Sequence, residues 1–175
     1  MYSGPETKVN SGAGKLNRME SPGAAITRAW RRLSPLPGGA WLFSRVLGFW
    51  VPYTGTLGAN VIELYPGYAK VELRDRRKVR NHLNSIHAVA LANLGEVTSG
   101  LSMVTALSPE VRAIVTHLSM EYFKKARGRL VAEGKSAPPR SVTENTGHLV
   151  YADIRDQAGD VVARATVRWQ LSPAS

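Results

Sequence analysis

No cysteine occurs in the 175 residues. This excludes a disulfide framework, a thiolate nucleophile and any cysteine-based metal site, and nothing calls for an oxidising compartment. The N-terminus also lacks a basic segment followed by an apolar core and a small-residue cleavage site, so no secretory signal is read and a cytoplasmic location is expected. The four histidines, His82, His87, His117 and His148, form no helical His-x-x-x-His pair, and no metal is expected. Gly12-Ala-Gly14-Lys15 lacks the spacing and preceding strand of a phosphate loop, and no Gly-x-Ser-x-Gly is present for a serine nucleophile. Acidic residues are scarce as well, 13 against 23 Lys and Arg, for a formal charge of +10. That surplus attracts polyanions, but its clusters, Arg74-Asp-Arg-Arg-Lys-Val-Arg80, Lys124-Lys-Ala-Arg-Gly-Arg129 and Arg28/Arg31/Arg32, contain few aromatics to stack on bases. Nucleic acid is therefore not the expected partner.

Charge of either sign nearly vanishes between Arg80 and Glu110, where Glu96 stands alone. Around it, Ile86, Ala90, Leu94, Val97, Leu101 and Val104 follow helical spacing, with Ala, Gly, Ser and Asn between them. The spacing predicts a core helix buried nearly all round. An ionised carboxylate there loses hydration unless a partner or a wet cleft compensates it, which makes Glu96 a candidate for chemistry or for an ion pair across an interface. His87, Asn93 and Glu96 in the same segment disfavour membrane insertion, and no membrane partner is expected.

The remaining pattern predicts an α+β chain. Residues 1–22 lack periodicity and read as a flexible tail. Residues 23–52 read as two short N-terminal helices, Gly23 to Arg32 and Ala40 to Val51, broken by Ser34-Pro-Leu-Pro-Gly-Gly39. Trp30, Trp41, Phe49 and Trp50 are read as packing residues. Residues 53–175 form the main domain: strands at Ala59 to Tyr65 and Ala69 to Leu73, the long helix, then strands at Val111 to Ala126, Gly128 to Lys135, His148 to Arg155 and Val161 to Leu171. A phase slip near Thr116-His117 predicts a bulge, and Asp156-Gln-Ala-Gly-Asp160 a turn. A lone apolar helix beside an antiparallel sheet is best covered if the sheet curls round it.

Asn81-His-Leu-Asn-Ser-Ile-His87-Ala88, running into the helix and followed by Glu96, resembles the signature of the hotdog thioesterases of the phenylacetyl-CoA type. There an Asn is followed six residues later by His-Gly and, nine residues beyond the His, by an acid. This chain has Ala88 in place of the Gly and Glu96 where that type usually has Asp. The resemblance covers Tyr53 to Ser172 and implies a hotdog fold, a sheet wrapped round a central helix, with acyl-CoA thioester hydrolysis as the activity. It implies Glu96 as base or nucleophile, the Ala88 amide as oxyanion donor and Asn81 as the residue orienting water or thioester, with His87 at the helix start. No cofactor is implied beyond the coenzyme A of the substrate, whose phosphates Arg74, Arg76, Arg77, Lys78, Arg80, Lys124, Lys125 and Arg127 are placed to meet.

Elementary chemistry agrees. Backbone N–H groups at a helix start lack intrahelical partners, so a thioester carbonyl set there is polarised by fixed donors. Nine residues of helix advance about 13 Å and turn the side chain by roughly half a revolution. His87-Ala88 and Glu96 of one chain therefore cannot converge on one carbonyl, and a homodimer, or a dimer of dimers, is expected. The alternatives are a non-catalytic acyl-ligand binding protein of the same fold, a hotdog hydratase or dehydratase, whose motifs are not visible, and a basic nucleic-acid-binding protein.

Overall fold

The computed structural model describes residues 21–174. The expected tail lies outside them, except that Ser21 caps the first helix, accepting from the Ala24 N–H at 3.2 Å, and Pro22 occupies its first position. That position suits proline, whose missing N–H would have been unpaired anyway. Helix α1 spans Pro22–Leu33 and α2 Gly39–Trp50. A short α3, Pro52–Leu57, follows where the sequence pattern predicted no helix, again with proline at its start and Gly58 at φ 60° at its end. Strands β1 (Asn60–Tyr65) and β2 (Tyr68–Leu73), a 3-10 turn at Arg77–Val79, the long α4 (Ala88–Ala106), and β3 (Val111–Tyr122), β4 (Leu130–Lys135), β5 (Thr146–Arg155) and β6 (Val161–Pro173) complete the chain.

The strands form one antiparallel sheet in the order β1-β2-β4-β5-β6-β3. Strand β3 leaves α4 and crosses to the far edge, where it pairs with β6; its register shifts between Val115 and His117, the expected bulge. It ends at Tyr122, four residues short of the expected limit, because Phe123 and Lys124 turn to bond the Val162 carbonyl. Period-two alternation in β6 puts Ala163, Ala165, Val167, Trp169 and Leu171, all buried, on the face against α4.

Helix α4 lies close to that face because small residues line its contact. A Cβ on Gly95 would sit 2.4 Å from that of Ala165, and one on Gly134 would sit 3.2 Å from the Thr98 carbonyl. The hydroxyls buried with them are satisfied within the helix: Thr98 donates to the Leu94 carbonyl at 2.7 Å, Ser102 to Ser99 at 2.8 Å and Thr105 to Leu101 at 2.7 Å. A buried hydroxyl with a partner costs little, so a helix rich in Ser and Thr can serve as core. Burial all round is not what results: Ala88 and Val89 are exposed and Asn93, Glu96 and Gly100 half-buried. The N-terminal helices join the same core. Trp30 packs edge-to-face on Phe43 at 5.1 Å, in one cluster with Leu57, Val61, Leu94 and Leu101.

Candidate active site

The loop before α4 is built by Asn81. Its Oδ1 accepts from the Leu83 N–H at 3.0 Å, the Ser85 N–H at 3.2 Å and the Ser85 hydroxyl at 3.2 Å, while Asn84 takes φ 59°. Side-chain bonds of this kind are why Asn favours tight turns, and Asn tolerates the left-handed region. Three backbone bonds then fix the helix start: Asn81 N–H to Ser85, Ile86 N–H to Ala126 and His87 N–H to Val79, each 2.8 Å. His87 is the N-cap, its Nδ1 accepting from the Val89 N–H at 3.1 Å. That bond employs His87 as a structural cap.

Two polar groups remain unspent here. The Ala88 N–H has no partner among the described residues, and neither has the Asn81 Nδ2, its amide oxygen alone being used by the loop. Both border a cleft of about 270 Å³, with Leu91, Tyr122, Phe123, Lys124 and Lys125 among its other walls. The Tyr122 hydroxyl donates to the Ala88 carbonyl at 3.3 Å, and burial pushes its phenol up from the ordinary value. Sequence reasoning missed Tyr122 and Phe123. The signal was there: alternation along β3 puts Tyr122, opposite Ala163, on the helix side of the sheet.

Glu96 does not line that cleft. It stands about 12 Å further along the helix, on a flank shared with Val89, Asn93 and Gly100, beside β6 and β3; a Cβ on Gly100 would lie 3.6 Å from the Trp169 ring. Its carboxylate has no hydrogen bond or ion pair among the described residues, and loss of hydration raises its pKa from the ordinary carboxylate value. The arginine partner that would make it structural is not supplied by these residues. One chain thus brings Asn81 and Ala88 together and leaves Glu96 apart.

The candidate phosphate-binding cations divide. Arg76 donates to the Leu57 carbonyl at 2.6 Å, and Arg80 to Asp75 at 2.5 Å, holding that carboxyl below its usual range. Lys124 bridges Asp156 at 2.7 Å and Asp160 at 2.6 Å, and Arg74 meets the buried Glu72 at 3.0 Å. The side chains of Arg77, Lys78, Lys125 and Arg127 make no hydrogen bond or ion pair among the described residues, although the Arg127 charge acts on Asp75. Of these Lys125 lines the cleft. No group of three acidic or histidine side chains able to hold a metal is found among the described residues. No helix there is long and apolar enough to cross a membrane.

A central helix held in a curved antiparallel sheet of this strand order is the hotdog fold. Within it, the chain belongs to the family described as a domain of unknown function, DUF4442, which matches residues 39–171. It is 27% identical to a protein solved as a genomics target, covering 86% of this chain and all of that one with a TM-score of 0.74. A Pseudomonas aeruginosa protein of unknown function described as a probable thioesterase is 20% identical, with 79% of this chain and 97% of that one covered and a TM-score of 0.68. A thioesterase family protein from Silicibacter pomeroyi is 16% identical, over 75% of this chain and 96% of that one, with a TM-score of 0.62. No curated protein is similar in sequence.

Proposed function

We propose that the protein is an acyl-CoA thioesterase whose active site is completed by a second copy of the chain. The observation that carries this reading is the pair of half-sites, one around the Ala88 N–H and the Asn81 amide nitrogen, the other the unpartnered Glu96. Strand β3, paired among the described residues only with β6, leaves one edge of the sheet with unused N–H and C=O groups beside the Glu96 flank. Such an edge is a template for another strand. A two-fold copy joined there would lay Glu96 of one chain toward the helix start of the other, giving two equivalent sites.

In that site the thioester oxygen accepts from the Ala88 N–H, where the helix start favours the charge that develops as the carbonyl carbon becomes tetrahedral. The Asn81 Nδ2 donates to the same oxygen or to the attacking water. Glu96 takes the water's proton, the C–S bond breaks, and the thiolate of coenzyme A leaves to be protonated by that carboxyl or by solvent; the acid is released. Direct attack by Glu96, through an anhydride that water then opens, reaches the same products. Lys125, which lines the cleft, meets the coenzyme A phosphates, with Arg77, Lys78 and Arg127 as further contacts. Names of structural relatives point to the same chemistry in those proteins.

A second reading, a binding protein for acyl thioesters without hydrolysis, is favoured by the Ala88 methyl where the resembled thioesterases have glycine. Purified protein offered a panel of aliphatic and aromatic acyl-CoAs separates the two. Release of free coenzyme A thiol supports hydrolysis; tight binding of acyl-CoA with no thiol released sinks it.

A further inference from the structure

Residues 21–62 contain no Asp or Glu, and their charges are Arg28, Arg31, Arg32 and Arg45. Within this stretch α2 is turned inside out. Phe43 and Ser44 are buried, while Leu42, Val46 and Phe49 share one exposed face that Trp41, Trp50 and Tyr53 extend; Arg45 beside them is half-buried, its guanidinium donating to the Ala59 carbonyl at 3.3 Å. Phe49 is 83% exposed and Trp50 71%. Trp41 and Arg45 share a cleft of about 380 Å³ with Glu72, Arg74 and Arg76, Arg74 paired with Glu72 and Arg76 anchored on the carbonyls of Leu57 and Gly58. Guanidinium groups therefore border the aromatic surface.

A contiguous apolar patch of this kind marks an interaction surface. Its composition selects the partner. A two-fold copy would set Arg45 and Arg76 against themselves, and the carboxylate beside them, Glu72, is already held by Arg74 and Arg129. Tryptophan and tyrosine settle where apolar tails meet wet headgroups, and arginine heads reach phosphate while their stems stay in apolar surroundings. We propose that α2 and α3 dock the protein on an anionic lipid bilayer, with Trp41, Phe49, Trp50 and Tyr53 in the interface and Arg45 and Arg76 at lipid phosphates. The helices lie on the surface and do not span it. This does not rest on the thioesterase reading. It departs from the sequence expectation of no membrane partner, which came from α4.

The test is sedimentation of the full chain with vesicles of phosphatidylcholine alone and of phosphatidylcholine mixed with phosphatidylglycerol, read together with tryptophan emission. The expected result is pelleting and a blue shift with the anionic vesicles only, weakening as salt rises. Phe49→Glu combined with Trp50→Glu, both at exposed positions, should cut binding by about tenfold or more, whereas Leu149→Glu on the outer face of the sheet should leave it unchanged. Failure to bind anionic vesicles at low salt overturns the proposal. So does a double variant that binds vesicles normally, or one that instead breaks up a self-assembled form seen by ultracentrifugation.

Discussion

Along one flank of α4, Leu94 and Leu101 are shut into the cluster that holds Trp30, Phe43 and Leu57; along the other, Val89, Asn93, Glu96 and Gly100 lie exposed or half-buried. Both flanks belong to one helix, and both lack Lys and Arg. The first is apolar and covered by the chain's own helices. The second carries the one carboxylate of α4, which no described residue pairs. A side chain can be half-desolvated without a partner only at an energetic cost, so the second flank is where a further molecule has something to gain.

The largest effect on the open flank is expected from Glu96→Gln, which keeps shape while removing the base or nucleophile. Acyl-CoA hydrolysis should fall by about 10²- to 10⁴-fold with the far-ultraviolet dichroism unchanged; normal turnover would make the open flank structural. Mixing comes next. Asn81→Ala and Glu96→Ala should each be nearly inactive, but dimers refolded from an equal mixture should regain about a quarter of wild-type activity, since half are mixed and each of those has one intact site. Mixed dimers verified by mass spectrometry yet still inactive would mean that the two residues do not meet across an interface. On the covered flank, Leu94→Ala should cost about 3 kcal/mol of stability by opening a cavity, read by denaturant unfolding, and leave turnover per folded molecule unaltered. A loss of turnover with no loss of stability would reverse the roles given to the two flanks.

The smallest effect is one of pH. Folding raises the Glu96 pKa, so the folded protein binds the proton more tightly than the unfolded chain. Stability from this group is therefore fully present below the unfolded value and declines as pH rises through the folded one. Glu96→Gln should accordingly raise the melting temperature by about a degree or two near neutral pH and change it little in acid. Equal melting shifts at both pH values would contradict the burial cost assigned to this carboxylate.

Much of this was legible along the chain. Alternation in residues 161–171 gave β6 and its inward face, the phase slip at Thr116 gave the bulge, and the lone charge of residues 81–109 gave Glu96. Helix α3 escaped because six residues are too few to display a period, although Pro52 and Gly58 mark its ends. The cations were less readable. Lys124 looked available until the turn at 156–160 brought two carboxylates onto it, and Arg80 until the loop before α4 set it on Asp75. Such pairings depend on how distant segments meet, which spacing does not encode. Asn81 was half legible: its position marked the site, but only the loop's bonds reveal which end of its amide is left to work.

Strand β3 has a consequence for biosynthesis. It is made directly after α4, yet its pairing partner is β6, with Val111 opposite Pro173 and Tyr122 opposite Ala163. While a ribosome translates the intervening residues, β3 has no strand of its own chain to join, and a nascent chain in that state carries two open edges. Loop closure over so many residues is slow compared with forming a hairpin. Protection of β3 amides in pulse-labelled hydrogen exchange should therefore lag behind that of β1 and β2, and a chain cut before Val161 should be held by chaperones instead of released as a folded fragment.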